Sequence, residues 1–149
     1  MTKVFKGRPV IAGKLESCEA VVTKNGMNTL ASFQKSVLEG KKDVICSDQN
    51  NPDLYNKKIN DVALCLPQSI GSTTGGMVLY TASALNVAPK AMLFPHTIDS
   101  LAAAGVILAD VWTDNSIVTV DNLGDEFLDY VKDGMKITID TDGTVTVES

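Results

Sequence analysis

The sequence predicts an α/β domain of mixed sheets with helices, organised as one unit over residues 1–149. Three observations carry this. Apolar strand-like and helix-like runs alternate from Asp61 to Val120, two stretches near the start alternate in polarity, and the chain closes on a hairpin pattern. A strand–helix–strand–helix–strand succession needs crossovers that are right-handed and therefore parallel. The flanking segments have the period-two alternation of antiparallel strands. The whole reads as an α/β core with an all-β layer.

The elements follow in order. VFKGRPVIAG (4–13) and EAVVTKN (19–25) are the two opening strands. In NTLASFQKSVLEG (28–40), Leu30, Phe33, Val37 and Leu38 have helical spacing, with Asn28 as cap and Gly40 as stop. DVIC (43–46) reads as a short buried strand, and SDQNNPDLYN (47–56) as a loop built on Pro52 and its Asn and Asp neighbours. Asp61 to Leu66 is a strand, and the helix after the glycines runs to about Leu85. PKAMLFP (89–95) is another strand. Thr97 is expected to cap the helix IDSLAAAGVILA, with Asp99 favouring its dipole. ADVW (109–112) and SIVTV (116–120) read as strands, and GDEFLDYVKD (124–133) as a short helix with Phe127, Leu128 and Val131 inward. MKITID, a Thr-Asp-Gly turn and TVTVES complete the hairpin.

Bulk composition narrows the function. Hydrophobic content of 44% with 21% charged residues is that of a globular domain with a sizeable core. A net charge of −5 and a pI near 4.7 argue against nucleic-acid binding, which needs Lys and Arg to neutralise phosphates. The pairs Lys41-Lys42 and Lys57-Lys58 are short, have acidic neighbours and read as solvated surface. No apolar run reaches the length of a membrane helix, and the start has no signal-peptide core. A soluble, cytoplasmic protein is expected. Cys18, Cys46 and Cys65 are odd in number and widely spaced, which suits a reducing compartment and excludes a CxxC zinc or redox motif.

The segment that carries chemistry is LPQSIGSTTGGMVLYTASAL (66–85), a strand, a Gly-Ser-Thr-Thr-Gly-Gly turn and a helix. Such a turn presents backbone N–H groups and hydroxyls at a helix N-terminus, an anion site by geometry. A P-loop is excluded because Met77, not lysine, follows Gly76. GxGxxG is absent, and GxSxG fails because Ser72 directly follows Gly71. The bland alternative carries equal weight: Ser72 or Thr73 caps the helix and the glycines permit close packing. His96, the sole histidine, reads as structural. Cys65 belongs to an apolar strand and to the core. Cys46 ends a strand and opens a polar loop, where functional groups tend to lie.

FKGRPVIAGKLESCEAVVTKNGMNTLASFQKS, VICSDQNNPDLYNKKI, LCLPQSIGSTTGGMVLYTASALNVAPKAMLF and DSLAAAGVILADVW, taken together, resemble the swivel part of aconitase X, from about residue 5 to 145. The LPxxxGSTTGG turn is the strongest motif. The resemblance implies a swivelling β/β/α domain that closes over a larger chain as the small subunit of a hydro-lyase. That larger aconitase X subunit is expected to carry an iron–sulfur cluster, with no metal ligand on this chain, and the substrate is expected to be a small hydroxy acid. Ser72 inherits the role of the proton-abstracting base. Gly71, Thr73, Thr74 and Gly75 are candidates to hold a substrate carboxylate, with capping the favoured role for one of the threonines. Asp48, Gln49, Asn50 and Asn51 can bind ammonium and hydroxyl groups, although a solvated turn explains them equally well. Known members act on cis-3-hydroxy-L-proline or on phosphomevalonate. Arg8 is the sole arginine, so the residues favour the amino acid over the phosphate. A non-catalytic module that holds an anion or a partner is the competing class.

Overall fold

In the computed structural model, which describes residues 2–72 and 74–149, the chain forms one eight-stranded mixed sheet, a two-stranded parallel ribbon and the helices that cover them. The strands are β1 (Thr2–Lys6), β2 (Arg8–Ile11), β3 (Leu15–Val22), β4 (Met27–Asn28), β5 (Ala63–Cys65), β6 (Ser69–Ile70), β7 (Ala91–Leu93), β8 (Val118–Asp121), β9 (Lys136–Ile139) and β10 (Thr144–Glu148). The helices are α1 (Thr29–Leu38), α2 (Gly75–Ala84), α3 (Ser100–Trp112) and α4 (Asp125–Tyr130). The large sheet runs β1-β10-β9-β3-β5-β7-β8-β2. Strands β3, β5, β7 and β8 pair in parallel, as the α2 and α3 crossovers require. The flanks pair antiparallel.

Alternation along the parallel strands divides two cores. Val21, Leu64, Leu66, Met92 and Phe94 face α1, α2 and α3. Ala20, Val22, Ala63, Cys65, Ala91 and Leu93 face the other way, toward Phe5, Phe127, Ile137, Ile139, Val145 and Val147. The small alanines of that face let the antiparallel layer lie directly on the parallel one. The result is three layers: antiparallel strands with α4, a parallel sheet, then helices. Phe5 meets Phe127 edge-on, with ring centroids 5.3 Å apart. Among the described residues, no helix is long and apolar enough to cross a membrane.

Four sequence expectations change. VFKGRPVIAG is two strands, not one: Gly7 separates β1, which pairs with β10, from β2, which pairs with β8 in the other layer. DVIC forms no sheet strand. Its buried–exposed alternation is real, but Val44 N–H donates to Asn60 Oδ1 and Cys46 N–H to the Lys57 carbonyl, so residues 57–60 take its bonds. ADVW is the last turn of α3. Val111 and Trp112 are exposed there, and the Thr113 hydroxyl donates to the Ala109 carbonyl at the helix end. Asp99, not Thr97, caps α3 by accepting from Ala102 N–H at 3.1 Å, while the Thr97 hydroxyl donates to Asn122 Oδ1. The cap of α1 is as expected: Asn28 Oδ1 accepts from Ala31 N–H at 3.1 Å, and Gly40 takes a positive φ of 67° beyond its end.

Candidate active site

The carboxyl ends of parallel strands form the rim where ligands bind in open α/β sheets. Here the rim is built by the small ribbon. β4 and β6 lie parallel, with Met27 opposite Ser69 and Asn28 opposite Ile70. β4 passes straight into α1. β6 passes into α2 through Gly71, Ser72, Thr73 and Thr74. Two helix N-termini therefore start side by side, close enough that a Cβ on Gly75 would lie 3.3 Å from Thr29 Cβ. Each brings first-turn amides and the positive end of its dipole.

Gly71 makes the turn. Its φ of 102° suits glycine, and an added Cβ would lie 3.0 Å from the Asn28 carboxamide. The Asn28 side chain thus caps α1 and supports the turn at once. Ser72 comes next and is exposed; its carbonyl accepts from Gly75 N–H at 3.1 Å. Thr74 occupies the N-cap position of α2 with helical backbone and makes no side-chain cap. Among the described residues the Ser72 and Thr74 hydroxyls have no hydrogen-bond partner, so a capping role for either is not what the geometry shows. Thr73 lies outside the described residues. Gly75 is buried against Thr29, so it contributes backbone and no side-chain surface.

The 47–56 loop flanks the same helix, α1. The Ser47 hydroxyl donates to the Ala31 carbonyl, and Ser47 N–H to that of Ser32. Asp48 is buried and accepts from Asn50 N–H at 3.0 Å, an Asx turn that occupies one carboxylate oxygen. Gln49 and Asn50 are exposed. Gln49 lines a groove of about 260 Å³ with Lys35, Ser47 and Tyr55. Asn51 is buried and accepts from Asp53 N–H, Leu54 N–H and the Thr23 hydroxyl. The 71–75 group borders the start of α1, whereas Gln49 lines its groove with Lys35, Ser36 and Glu39 toward the end of that helix, and no hydrogen bond joins 48–50 to 71–75 among the described residues.

Charge around the rim is mostly committed. Arg8 grips Asp121 through Nε at 2.9 Å and an Nη at 2.6 Å, and this carboxylate raises the guanidinium pKa further. The fully buried Asp121 also accepts from Ile98 N–H, fixing the crossover that leads to α3. His96 Nε2 lies 2.7 Å from Asp125 Oδ1, an exposed pair. Lys24 N–H, donating to Asp53 at 2.8 Å, is the main cause holding that carboxyl below its ordinary range; Thr23 and Asn25 add to it. Burial pushes the thiols of Cys18 and Cys65 up, so both stay protonated. Cys46, predicted to sit where functional groups lie, packs inside the helix-side core. Among the described residues no three His, Cys, Asp or Glu side chains gather as a metal would require.

Sequence reasoning did not single out Asn28 beyond its capping role, nor Asp99 and Asp121 as supports of the rim. A cap-forming residue three positions before a helix turn signals only itself; its second contact needs the fold.

The profile of the aconitase X swivel domain matches residues 4–147. The chain belongs to the aconitase X swivel-domain family. Its similarity to phosphomevalonate dehydratase small subunits extends over nearly their whole length. That of Aeropyrum pernix is 25% identical over 143 residues, covering 96% of this chain and 92% of the relative. That of Thermococcus sibiricus is 27% identical over 145 residues, covering 97% and 98%. The fold agrees with the crystal structure of Thermococcus kodakaraensis aconitase X in its holo-form, at a TM-score of 0.80, 27% identity and 99% coverage of both chains. A solution NMR structure, 24% identical, shares the fold at a TM-score of 0.76, covering 99% of this chain and all of that one. This aconitase X chain is of the small-subunit type, and the expected dehydratase role beside a larger chain matches the names of these relatives.

Proposed function

We propose that the chain supplies the base half of an aconitase X-type active site and dehydrates a small hydroxy acid together with a large subunit. The observation that carries this is Ser72: exposed, free of hydroxyl partners among the described residues, and set where two helix N-termini start together. A serine hydroxyl is too weak a base unless its alkoxide is stabilised. In this reading the first-turn amides and N-terminal dipoles of α1 and α2, which start beside each other, provide that stabilisation. Ser72 then takes the proton beside the substrate carboxylate. The carboxylate lies against the backbone of Gly71 and Gly75, with Thr73 and Thr74 as further donors. Asp48, Gln49 and Asn50 close the site from the α1 side, Asp48 with its one remaining carboxylate oxygen.

The iron–sulfur cluster that the aconitase relationship implies lies on the large subunit in this reading. It would supply Lewis-acid chemistry to the departing hydroxyl; in this reading its ligands come from the large subunit, since Cys18, Cys46 and Cys65 are buried in this chain's own cores. The names of the relatives make phosphomevalonate the first substrate to assay. cis-3-Hydroxy-L-proline is second, favoured by the absence of Arg and Lys from 47–51 and 66–76. The test is to co-purify the chain with its large subunit anaerobically and assay both acids. Dehydration that vanishes in Ser72→Ala supports the reading. Full activity of that variant, or tight anion binding by the chain alone with no larger partner, refutes it and favours a binding module.

A further inference from the structure

We propose that Asp99 is a positioning residue for Ser72, acting through the ribbon strand that leads into the turn; this rests on the base role proposed above. Asp99 ties together three donors from two elements. Its Oδ1 accepts from Ser69 N–H at 2.8 Å, and its Oδ2 accepts from the Ser69 hydroxyl and, at 3.1 Å, from Ala102 N–H. A helix cap needs only the last of these. The other two reach across to β6, 30 residues earlier in sequence, and hold Ser69 three positions before Ser72. Ser69 is itself buried, so its amide and hydroxyl have no solvent to turn to if the carboxylate is removed.

The tie fixes a direction as well as a place. From Ser69 the chain has one extended residue, Ile70, before Gly71 turns under the Asn28 carboxamide. Asn28 supports the turn from the α1 side and Asp99 holds its stem from the α3 side. Helix α3 is in turn seated on α2 by close contact: a Cβ on Gly105 would lie 2.8 Å from Leu79 Cβ and 3.2 Å from the Gly76 carbonyl. Asp121 adds a second lock by accepting from Ile98 N–H, the residue before Asp99. Asp99 therefore couples the start of α3, the stem of the Ser72 turn and, through packing, the start of α2. A base must be held to within a fraction of an ångström of its proton, and a misplacement of about 1 Å costs roughly 100-fold in rate.

Asp99→Ser separates positioning from capping. Serine caps Ala102 N–H well but is too short to hold Ser69. In the two-subunit complex, Asp99→Ser is expected to lower kcat by about 10- to 100-fold with KM close to that of the parent, and to lower the melting temperature because the buried Ser69 donors lose their acceptor. Amide hydrogen exchange at Ser69 in the full chain should quicken while exchange at Ala102 does not. Asp99→Asn, which keeps the length and one acceptor, should restore part of kcat. In a double-mutant cycle, Ser69→Ala and Asp99→Ser should be non-additive. Inactive Ser72→Ala alongside a fully active Asp99→Ser overturns the positioning role alone. Full activity of Ser72→Ala overturns the base assignment and this proposal with it. Unchanged Ser69 exchange in Asp99→Ser overturns the tie whatever the activity shows.

Discussion

Two polar segments pack against α1, and they treat their hydrogen-bonding groups in opposite ways. The 47–56 loop turns inward: Ser47 bonds to α1, Asp48 to Asn50, Asn51 to Asp53, Leu54 and Thr23, and Asp53 to Thr23, Lys24 and Asn25. The 71–74 turn leaves the Ser72 and Thr74 hydroxyls exposed, with no partner among the described residues. Equal polarity in the sequence thus conceals a structural loop and an available one. Groups that satisfy one another hold a shape, whereas groups left open at a helix N-terminus are held ready for a ligand.

The largest effect expected from this contrast is at Ser72. Ser72→Ala should cut kcat of the complex by about 1000-fold, the size of a lost general base, while leaving the melting temperature unchanged because the hydroxyl bonds to nothing described. Steady-state kinetics and calorimetry on the same preparation check both halves. Asn51→Ala should do the reverse. It strips a buried acceptor from Asp53 N–H, Leu54 N–H and Thr23, and should cost about 2 kcal/mol of stability in denaturant titration. Activity per folded molecule should stay within a few-fold. A large kcat loss in stable Asn51→Ala would erase the distinction between the loops.

Much of this architecture was legible beforehand. The parallel core followed from Asp61 to Val120 because buried strands between helices leave contiguous apolar runs, and the hairpin from its period of two. Ser72, Gly71 and Asn28 stood out because glycine, serine and asparagine have distinct local roles. What was not legible depends on long-range contact. Trp112 and Val111 made the end of α3 look like a strand, since exposed apolar residues break the pattern that marks a surface helix. Val44 and Cys46 alternate like a strand, but Asn60 and Lys57 take their bonds. The sequence around Asp99 signals only a favourable helix dipole; its hold on Ser69 spans 30 residues and has no local signature.

Acid provides a smaller probe of the inward loop. Asp53 is held below the ordinary carboxyl range chiefly by the Lys24 N–H bond, helped by Thr23, Asn25 and the nearby Lys57, against the opposing effect of burial. A carboxyl whose folded pKa is depressed stabilises the protein fully above the unfolded value of about 3.9 and loses that contribution as pH falls through the lower folded value. Asp53→Asn should therefore reduce stability at neutral pH and flatten its decline below about pH 4, as read by denaturant midpoints across that window. A decline that keeps its parental slope would show that Asp53 does not tie the loop to residues 23–25.

The smallest stability effects are expected at Gln49 and Asn50, and these decide whether the inward loop has any share in binding. Both are exposed, and neither side chain makes a hydrogen bond among the described residues; the Asn50 contact to Asp48 is through its backbone N–H. Replacing either with alanine should shift unfolding by less than about 0.5 kcal/mol, as for a surface site with no special feature. Their kinetic effect then has a single source. If they touch substrate, KM rises with kcat little changed, the mark of binding that is equal in ground and transition states. If both constants keep their parental values, the 47–56 loop only shapes the rim, and substrate recognition on this chain falls to the turn that carries Ser72.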